Sequence, residues 1–470
     1  MSRESPVLRH DPTGYWLGEA EERAAAATLT GEERADVVIV GGGYAGLWTA
    51  WALHEDAPDA RVVVLEADRC GFGPSGRNAG FLNSLWHRID RFAANVGDRA
   101  ALEICAETGR SVERIGEWAK ERGLDIWFRR AGHLKVATSA AQEGRWRAAL
   151  ETCARLGAGE ELRALDAGAV AAICRSPLFG PGAIVPQSAT VQPARLALGL
   201  RDALLAGGTT IHERTRARRI RPGRGRVVVE TDGGRVEAGQ AVVAINAASA
   251  GFGPLRNRLV VTATHMVVTE PVPDVLEEIG WTDGESISTA RSYLHYMRTT
   301  PDGRIAIGSG GGRVAYGARL GGRIEVERAA VEELIADLLE LFPALRGRRI
   351  EHAWGGPIDI SASPFPVVGT LPDGRTHYVY GFAGNGVGPA HLSGRILAGL
   401  ALDRRDELTS LALVEPPEAP VPPEPLRYLG GNAVRAAIMR KDRLEDAGME
   451  ADPLTRLVID VPDKLGIHVG

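Results

Sequence analysis

Cysteine is scarce in this sequence. Its four cysteines, Cys70, Cys105, Cys153 and Cys174, are widely spaced and form no CxxC pair. That argues against a cysteine-rich zinc site and against a disulfide framework, so no metal is expected. Uninterrupted apolar runs of membrane-spanning length are also missing. The most apolar long stretch, Val37 to Leu53, is broken by a glycine cluster and reads as part of a nucleotide fold. Met1 to Thr30 is polar and charged with no signal-peptide core, so a cytoplasmic protein without a transmembrane segment is the expectation. Positive charge is not in excess: 55 Lys and Arg against 60 Asp and Glu give a formal −5. The basic cluster Arg216, Arg218, Arg219, Arg221, Arg224 and Arg226 has no interleaved aromatics. It reads as a solvated hairpin, and no nucleic-acid partner is expected.

What is present organises around Asp36 to Ala67. An apolar, β-branched run, Val37-Val38-Ile39-Val40, leads into Gly41-Gly42-Gly43-Tyr44-Ala45-Gly46, a helix start at Leu47, and a second β run, Val62-Val63-Val64-Leu65, ending in Glu66. Gly41, Gly43 and Gly46 fit G-x-G-x-x-G, and Glu66 lies 20 residues beyond the last of them. Each part has a physical task. Gly41 permits the tight turn, Gly43 lets a pyrophosphate approach the backbone, and Gly46 lets helix and strand pack closely. The helix N-terminus offers free N–H groups and a positive dipole end to phosphate. An acid at Glu66 accepts hydrogen bonds from a ribose diol and disfavours a 2′-phosphate, so NAD or FAD is expected over NADP.

A chain of 470 residues with 58 glycines and 27 prolines is too long for one simple core, and two domains are expected. Gly73-Pro74-Ser75-Gly76-Arg77-Asn78-Ala79-Gly80 reads as a loop with backbone donors aimed at a ligand. Residues 98–122 read as an amphipathic helix, and Ala241 to Ala248 as a buried parallel strand ending in small residues. From Leu259 the pattern shifts to antiparallel strands: Leu259–Thr269, Ser286–Thr289, Tyr293–Thr299 and Arg304–Gly308. Gly308 to Gly312 lacks the third glycine of a dinucleotide motif and reads as a loop, so no second nucleotide site is expected. Tyr378-Val379-Tyr380 then delivers a second strand–glycine-loop–helix unit, Gly381 to Pro389.

The Val38–Glu66 unit, the Ser75-Gly76-Arg77-Asn78 loop and the Gly384-Asn385-Gly386-Val387-Gly388 turn together resemble the FAD-dependent D-amino acid oxidase superfamily (glycine and sarcosine oxidase-like), and within it the γ-glutamylputrescine oxidase-like branch. The resemblance runs from about Asp36 to the C-terminus. It implies an α/β plus antiparallel β fold, in which a Rossmann-like FAD-binding domain (35–90, 187–250 and 346–402) is interleaved with a mixed-sheet substrate domain (91–186 and 251–345). Residues 1–34 would form an N-terminal arm and 403–470 a C-terminal tail. Carried over by motif, Gly41, Gly43, Tyr44, Ala45 and Gly46 would meet the pyrophosphate, and Glu66, with Ala67 beside it, the adenosine ribose. Ser75, Gly76, Arg77, Asn78 and Ala79 would run along the isoalloxazine. Ala217 would hold the adenine, and Gly384, Asn385, Gly386 and Val387 would cover the pyrimidine edge. Relatives that bind FAD covalently use a His in the early loop or a Cys before the last glycine turn. This chain has Arg77 and Asn78 in the loop and no Cys after Cys174, so non-covalent FAD is expected.

The resemblance further implies oxidation of a C–N bond in a small amine or amino-acid-like substrate, by hydride transfer to flavin N5, imine hydrolysis and release of hydrogen peroxide from O2. Arg298 is the expected grip for a substrate carboxylate, with Tyr296 on the same strand face. His265 is placed over the flavin and Trp354 at the pocket's edge; Arg77 would put positive charge beside the ring. Three alternatives stay open: a dehydrogenase using another electron acceptor, action on a C–OH group, and a non-catalytic flavin-binding partner subunit. The amine's identity, the quaternary state and the tail's task are open too.

Overall fold

The computed structural model describes residues 13–416 and 418–464. Residues 1–12 of the expected N-terminal arm, Pro417, and residues 465–470 of the tail lie outside the described residues.

Two eight-stranded sheets organise the chain. The first is built on Gly31–Val40, which pairs parallel to Gly234–Val243 on one side and to Val62–Leu65 on the other. Thr376–Tyr380 and Thr210–His212 extend it in parallel, and the antiparallel hairpin Ala217–Gly223/Arg226–Thr231 is attached through Gly234–Val243. The parallel centre explains the unbroken Val/Ile/Leu runs, because strands covered on both faces have no polar side to show. Helices Tyr44–Asp56 and Val387–Ala401 pack together on one face.

The second sheet runs Ile350–Ser361, Leu259–Thr269, Ile305–Ser309, His295–Thr299, Ser286–Thr289, His133–Val136, Gly182–Val185, Arg163–Leu165. It is antiparallel except for one parallel pair, Ser286–Thr289 with His133–Val136. Its rear face is apolar: Ile287, Met297, Ile305 and Ile307 pack against Val331, Leu334 and Leu338 of the helix Arg328–Leu341. Its front face looks into a cavity.

The structure differs from sequence expectation at three places. The first sheet begins at Gly31, so the end of the expected arm is a strand, and Gly14–Glu19 is a docked helix with Trp16 fully buried. Ile350–Ser361, placed by sequence with the dinucleotide fold, instead pairs along eleven residues with Leu259–Thr269 in the second sheet. A twelve-residue antiparallel partner satisfies more backbone groups there than the short parallel edge of the first sheet offers. Finally, the tail, given no element or task from sequence, contains Leu426–Asp446, a helix of 21 residues lying against the cavity. No helix among the described residues is long and apolar enough to cross a membrane, and the four cysteines are buried and unpaired.

Candidate active site

The site is a single elongated cavity of about 1450 Å³ running between the two sheets. At one end stands the first glycine turn. Gly41 sits at φ +112°, a conformation costly for any side chain, and a Cβ there would lie 2.4 Å from the Ala244 carbonyl. A Cβ on Gly46 would fall 1.9 Å from the Gly41 carbonyl, so only glycine allows the helix to start this close to the strand. The helix opens at Tyr44, whose N–H donates to Ser75 Oγ at 2.9 Å. The flavin-type loop is thereby tied to the first glycine turn.

Glu66 follows its strand and lines the cavity. Its carboxylate accepts from the amides of Gly42 (2.7 Å) and Asp68 (2.8 Å), while burial pushes its pKa up. Gly41, Gly43, Tyr44, Ala45, Glu66, Ala67, Ser75, Arg77, Asn78, Ala79, Ala217, Gly384, Asn385, Gly386 and Val387 all line this one cavity. Gly46 and Gly76 do not. Each is instead pressed against a backbone carbonyl, Gly41 and Gly71 respectively.

The middle of the cavity is floored by the second sheet. Thr264, Met266, Tyr296 and Trp354 line it. The Trp354 indole donates to the Arg77 carbonyl at 2.8 Å, which pins the loop to the sheet. Tyr296 is hydrogen-bonded to Thr264, and burial raises its pKa to about 12, so it stays a neutral phenol.

Two expected substrate residues are corrected by this geometry. Arg298 shares a face with Tyr296 but does not line the cavity. Its guanidinium is buried, donates to the carbonyls of Ala79, Gly80 and Val191, and stacks over Trp16. Nε donates to the Thr299 carbonyl as well, so with Nε and Nη1 held by backbone away from the cavity it does not present a fork to a carboxylate there. His265 is on the wrong face: Val260, Thr262, Thr264 and Met266 point into the cavity, so the odd-numbered His265 points behind the sheet. There its Nε2 accepts from the Glu327 amide at 3.0 Å.

Sequence reasoning missed several lining residues. Asp359 is fully buried, accepts from the Gly381 amide at 2.6 Å, and is raised by burial to about 6. An acid inside the run Ile358-Asp359-Ile360 was the available signal. Lys135 and Arg88 were missed as well, neither carrying a motif, and of the helix Leu426–Asp446 only its start, within the stretch 423–431 that resembles the branch, was marked from sequence.

The donor set fits a dinucleotide. Oδ1 of Asn83, Oδ1 of Asn246 and Oδ1 of Asp359 are buried polar atoms without a protein partner among the described residues, and all three residues line the cavity. Such orphans are costly unless a ligand or water satisfies them. With the glycine turn, the helix N-terminus and Glu66, they describe a polar cradle far longer than a small metabolite needs.

Comparison with known proteins agrees with this geometry. The family profile described as "FAD dependent oxidoreductase" (DAO) matches residues 36–400. The gamma-glutamylputrescine oxidoreductase of Escherichia coli (strain K12) is 32% identical over 391 residues, spanning 83% of this chain and 88% of that protein. The probable oxidoreductase OrdL of Rhizobium meliloti (strain 1021) is 28% identical over 454 residues, 93% of this chain and 97% of that one. Among solved structures, glycine oxidase from Geobacillus kaustophilus superposes with a TM-score of 0.66 at 22% identity, covering 80% of this chain and 96% of that chain.

Proposed function

The chain belongs to the FAD-dependent oxidoreductase (DAO) family and uses FAD, and from that premise we propose that it oxidises a C–N bond in a small amine or amino-acid-like substrate, passing electrons on to O2 with release of hydrogen peroxide. The observation that carries the reading is the continuity of one cavity from Glu66, past the 73–80 loop and the Gly384–Val387 elbow, to a polar sheet floor. The Escherichia coli relative's name places its action on gamma-glutamylputrescine, an amine derivative.

In this reading Gly41, Gly43, Tyr44 and Ala45 present backbone donors to the pyrophosphate, and Glu66 with Ala67 takes the ribose. Ala217 lies by the adenine, Ser75 to Ala79 run along the ring system, and Gly384 to Val387 cover its pyrimidine edge. When bound, FAD supplies the hydride acceptor. The chain's own residues bind, orient and dry the substrate. Tyr296 and Trp354 wall the reacting region with aromatic surface. A desolvated pocket favours the neutral amine, the form from which hydride can leave, so no strong base is required. Arg77, half-buried at the cavity wall, adds positive charge beside the ring.

Anaerobic mixing with a panel of primary and secondary amines tests the reading. Bleaching of the flavin by at least one amine, with fast return and peroxide on admitting air, is the expected result. Bleaching with slow return means a dehydrogenase, bleaching by hydroxy acids alone means C–OH chemistry, and no bleaching means a binding role. Because Arg77 and Asn78 stand in the loop and the last cysteine is Cys174, the FAD is held without a covalent bond. Acid precipitation should leave the yellow colour in the supernatant; a yellow pellet overturns this.

A further inference from the structure

The far end of the cavity holds cations with no partner. Lys135, Arg88 and Arg91 all line it. None of the three makes a side-chain hydrogen bond or ion pair with any described residue, although the acid Asp90 is nearby. Arg145, also there, is already neutralised by a two-pronged contact with Glu445. Among the described residues, half-buried Lys135 and Arg88, with exposed Arg91 beside them, therefore face one acid. Burial and the neighbouring arginines push Lys135 down to about 8, and burial pushes Arg88 to about 10. Mutual repulsion inside a pocket is unfavourable by itself and is relieved by an anion.

Strand register gives the distance to that end. One transverse row crosses the front of the second sheet: Trp354, Met266, Gly308, Tyr296, Ser288, Lys135. Neighbouring strands are about 4.8 Å apart, so Lys135 stands about 10 Å from Tyr296 and about 24 Å from Trp354. Trp354 marks the flavin-loop end through its bond to Arg77. Between Tyr296 and Lys135 the lining mixes the Phe81 ring with Ser288, which is hydrogen-bonded to His133. The Phe81 ring lies 6.0 Å from Tyr296 and 5.5 Å from His133. The arrangement is a reacting region, a passage walled by Phe81, Ser288 and His133, and a cationic terminus.

Resting on the amine-oxidation reading above, we propose that Lys135, Arg88 and Arg91 form a subsite for a carboxylate at the remote end of an elongated amine substrate. An amine reacting near Tyr296 must carry this carboxylate roughly six to eight bonds from the reacting carbon, at about 1.2 Å per bond. The task expected of Arg298 thus falls to a different group of cations, on a different wall.

The test compares 5-aminopentanoate, 7-aminoheptanoate and 9-aminononanoate with their primary amides on the holoenzyme. The acid is expected to exceed its amide in kcat/KM by roughly 10- to 100-fold, the worth of one or two charge-assisted hydrogen bonds, with the two longer chains preferred. Lys135→Gln and Arg88→Gln should each collapse that ratio, and Lys135→Arg should preserve most of it. Calorimetric binding of heptanoate, which lacks the amine, gives a readout independent of turnover: it should weaken at least tenfold in Lys135→Gln. Equal handling of acids and amides by an enzyme whose flavin they bleach overturns the subsite while leaving amine oxidation standing. If nothing is bleached, the amine reading fails, and heptanoate binding that ignores Lys135→Gln overturns the subsite as well.

Discussion

Glu66, half-buried, and Arg298, fully buried, are both polar groups on or beside strands, yet their surroundings give them opposite meanings. Glu66 spends one hydrogen bond from each carboxylate oxygen on a local amide, Gly42 and Asp68, and still borders the cavity. Glu66→Gln keeps one amide acceptor and removes the charge, so FAD affinity should fall by about 10-fold or more, checked by titrating the apoprotein with FAD. Arg298 instead turns Nη1 to the carbonyls of Ala79, Gly80 and Val191 and Nε to that of Thr299. Arg298→Met leaves those carbonyls without their donors and should cost about 1–3 kcal/mol in denaturant unfolding. The conservative Arg298→Lys should change the KM for an anionic amine by less than about threefold. A large KM effect would restore Arg298 as the carboxylate grip.

At the level of elements, the helix Leu426–Asp446 is the piece whose role changed most. Asp442 is fully buried on it and accepts from the amides of Ser292 and Tyr293, at the start of the strand that carries Tyr296. Glu445, on the same face, holds Arg145. These contacts tie the tail to the cavity wall. Asp442→Ala should release the helix: tryptic cleavage at Arg440 or Lys441 should speed up several-fold, and unfolding free energy should drop by about 1–3 kcal/mol because two amides lose their acceptor. Unchanged proteolysis would mean that the helix is held by other contacts.

Across the whole molecule, three buried histidines set the acid limit. His133 and His391 are pushed down by burial to about 3 and His377 to about 4. In the unfolded chain each titrates near 6.5. Their folded pKa values are depressed, so the unfolded state takes up the protons, and stability present above pH 6.5 is lost as pH falls. Asp359 works the other way. Burial raises it to about 6, so between about pH 4 and 6 the folded state keeps a proton that the unfolded chain has released. Burial also holds His87 well below its usual range and raises Glu66, Glu285 and Asp446, so histidines and carboxyls oppose one another, each depressed histidine by itself removing up to about 1.4 kcal/mol per pH unit between pH 6 and 4. Urea unfolding across that range checks it, and Asp359→Asn should steepen the decline.

Local rules made the first half of the site legible. A strand, a glycine turn, a helix and a terminal acid are adjacent in sequence, and the reasons for each residue type act over a few bonds. Gly41, Gly43, Glu66 and the Ser75–Ala79 loop could therefore be placed before any fold was known. The second elbow at Gly384 to Val387 was legible for the same reason. The direction of side chains on the second sheet was not. His265 and Arg298 have the right chemistry, but which way a strand faces depends on its partners, and a one-residue change of phase moves a side chain from cavity to core.

The sequence by itself determined the cofactor-binding unit, because the turn and its acid are specified by neighbouring residues. Only the tertiary structure decided what lines the far end of the cavity. Lys135, Arg88 and the tail helix are far apart along the chain, and neither Lys135 nor Arg88 carries a motif. They meet because six strands in register set the Lys135 terminus about 24 Å from Trp354.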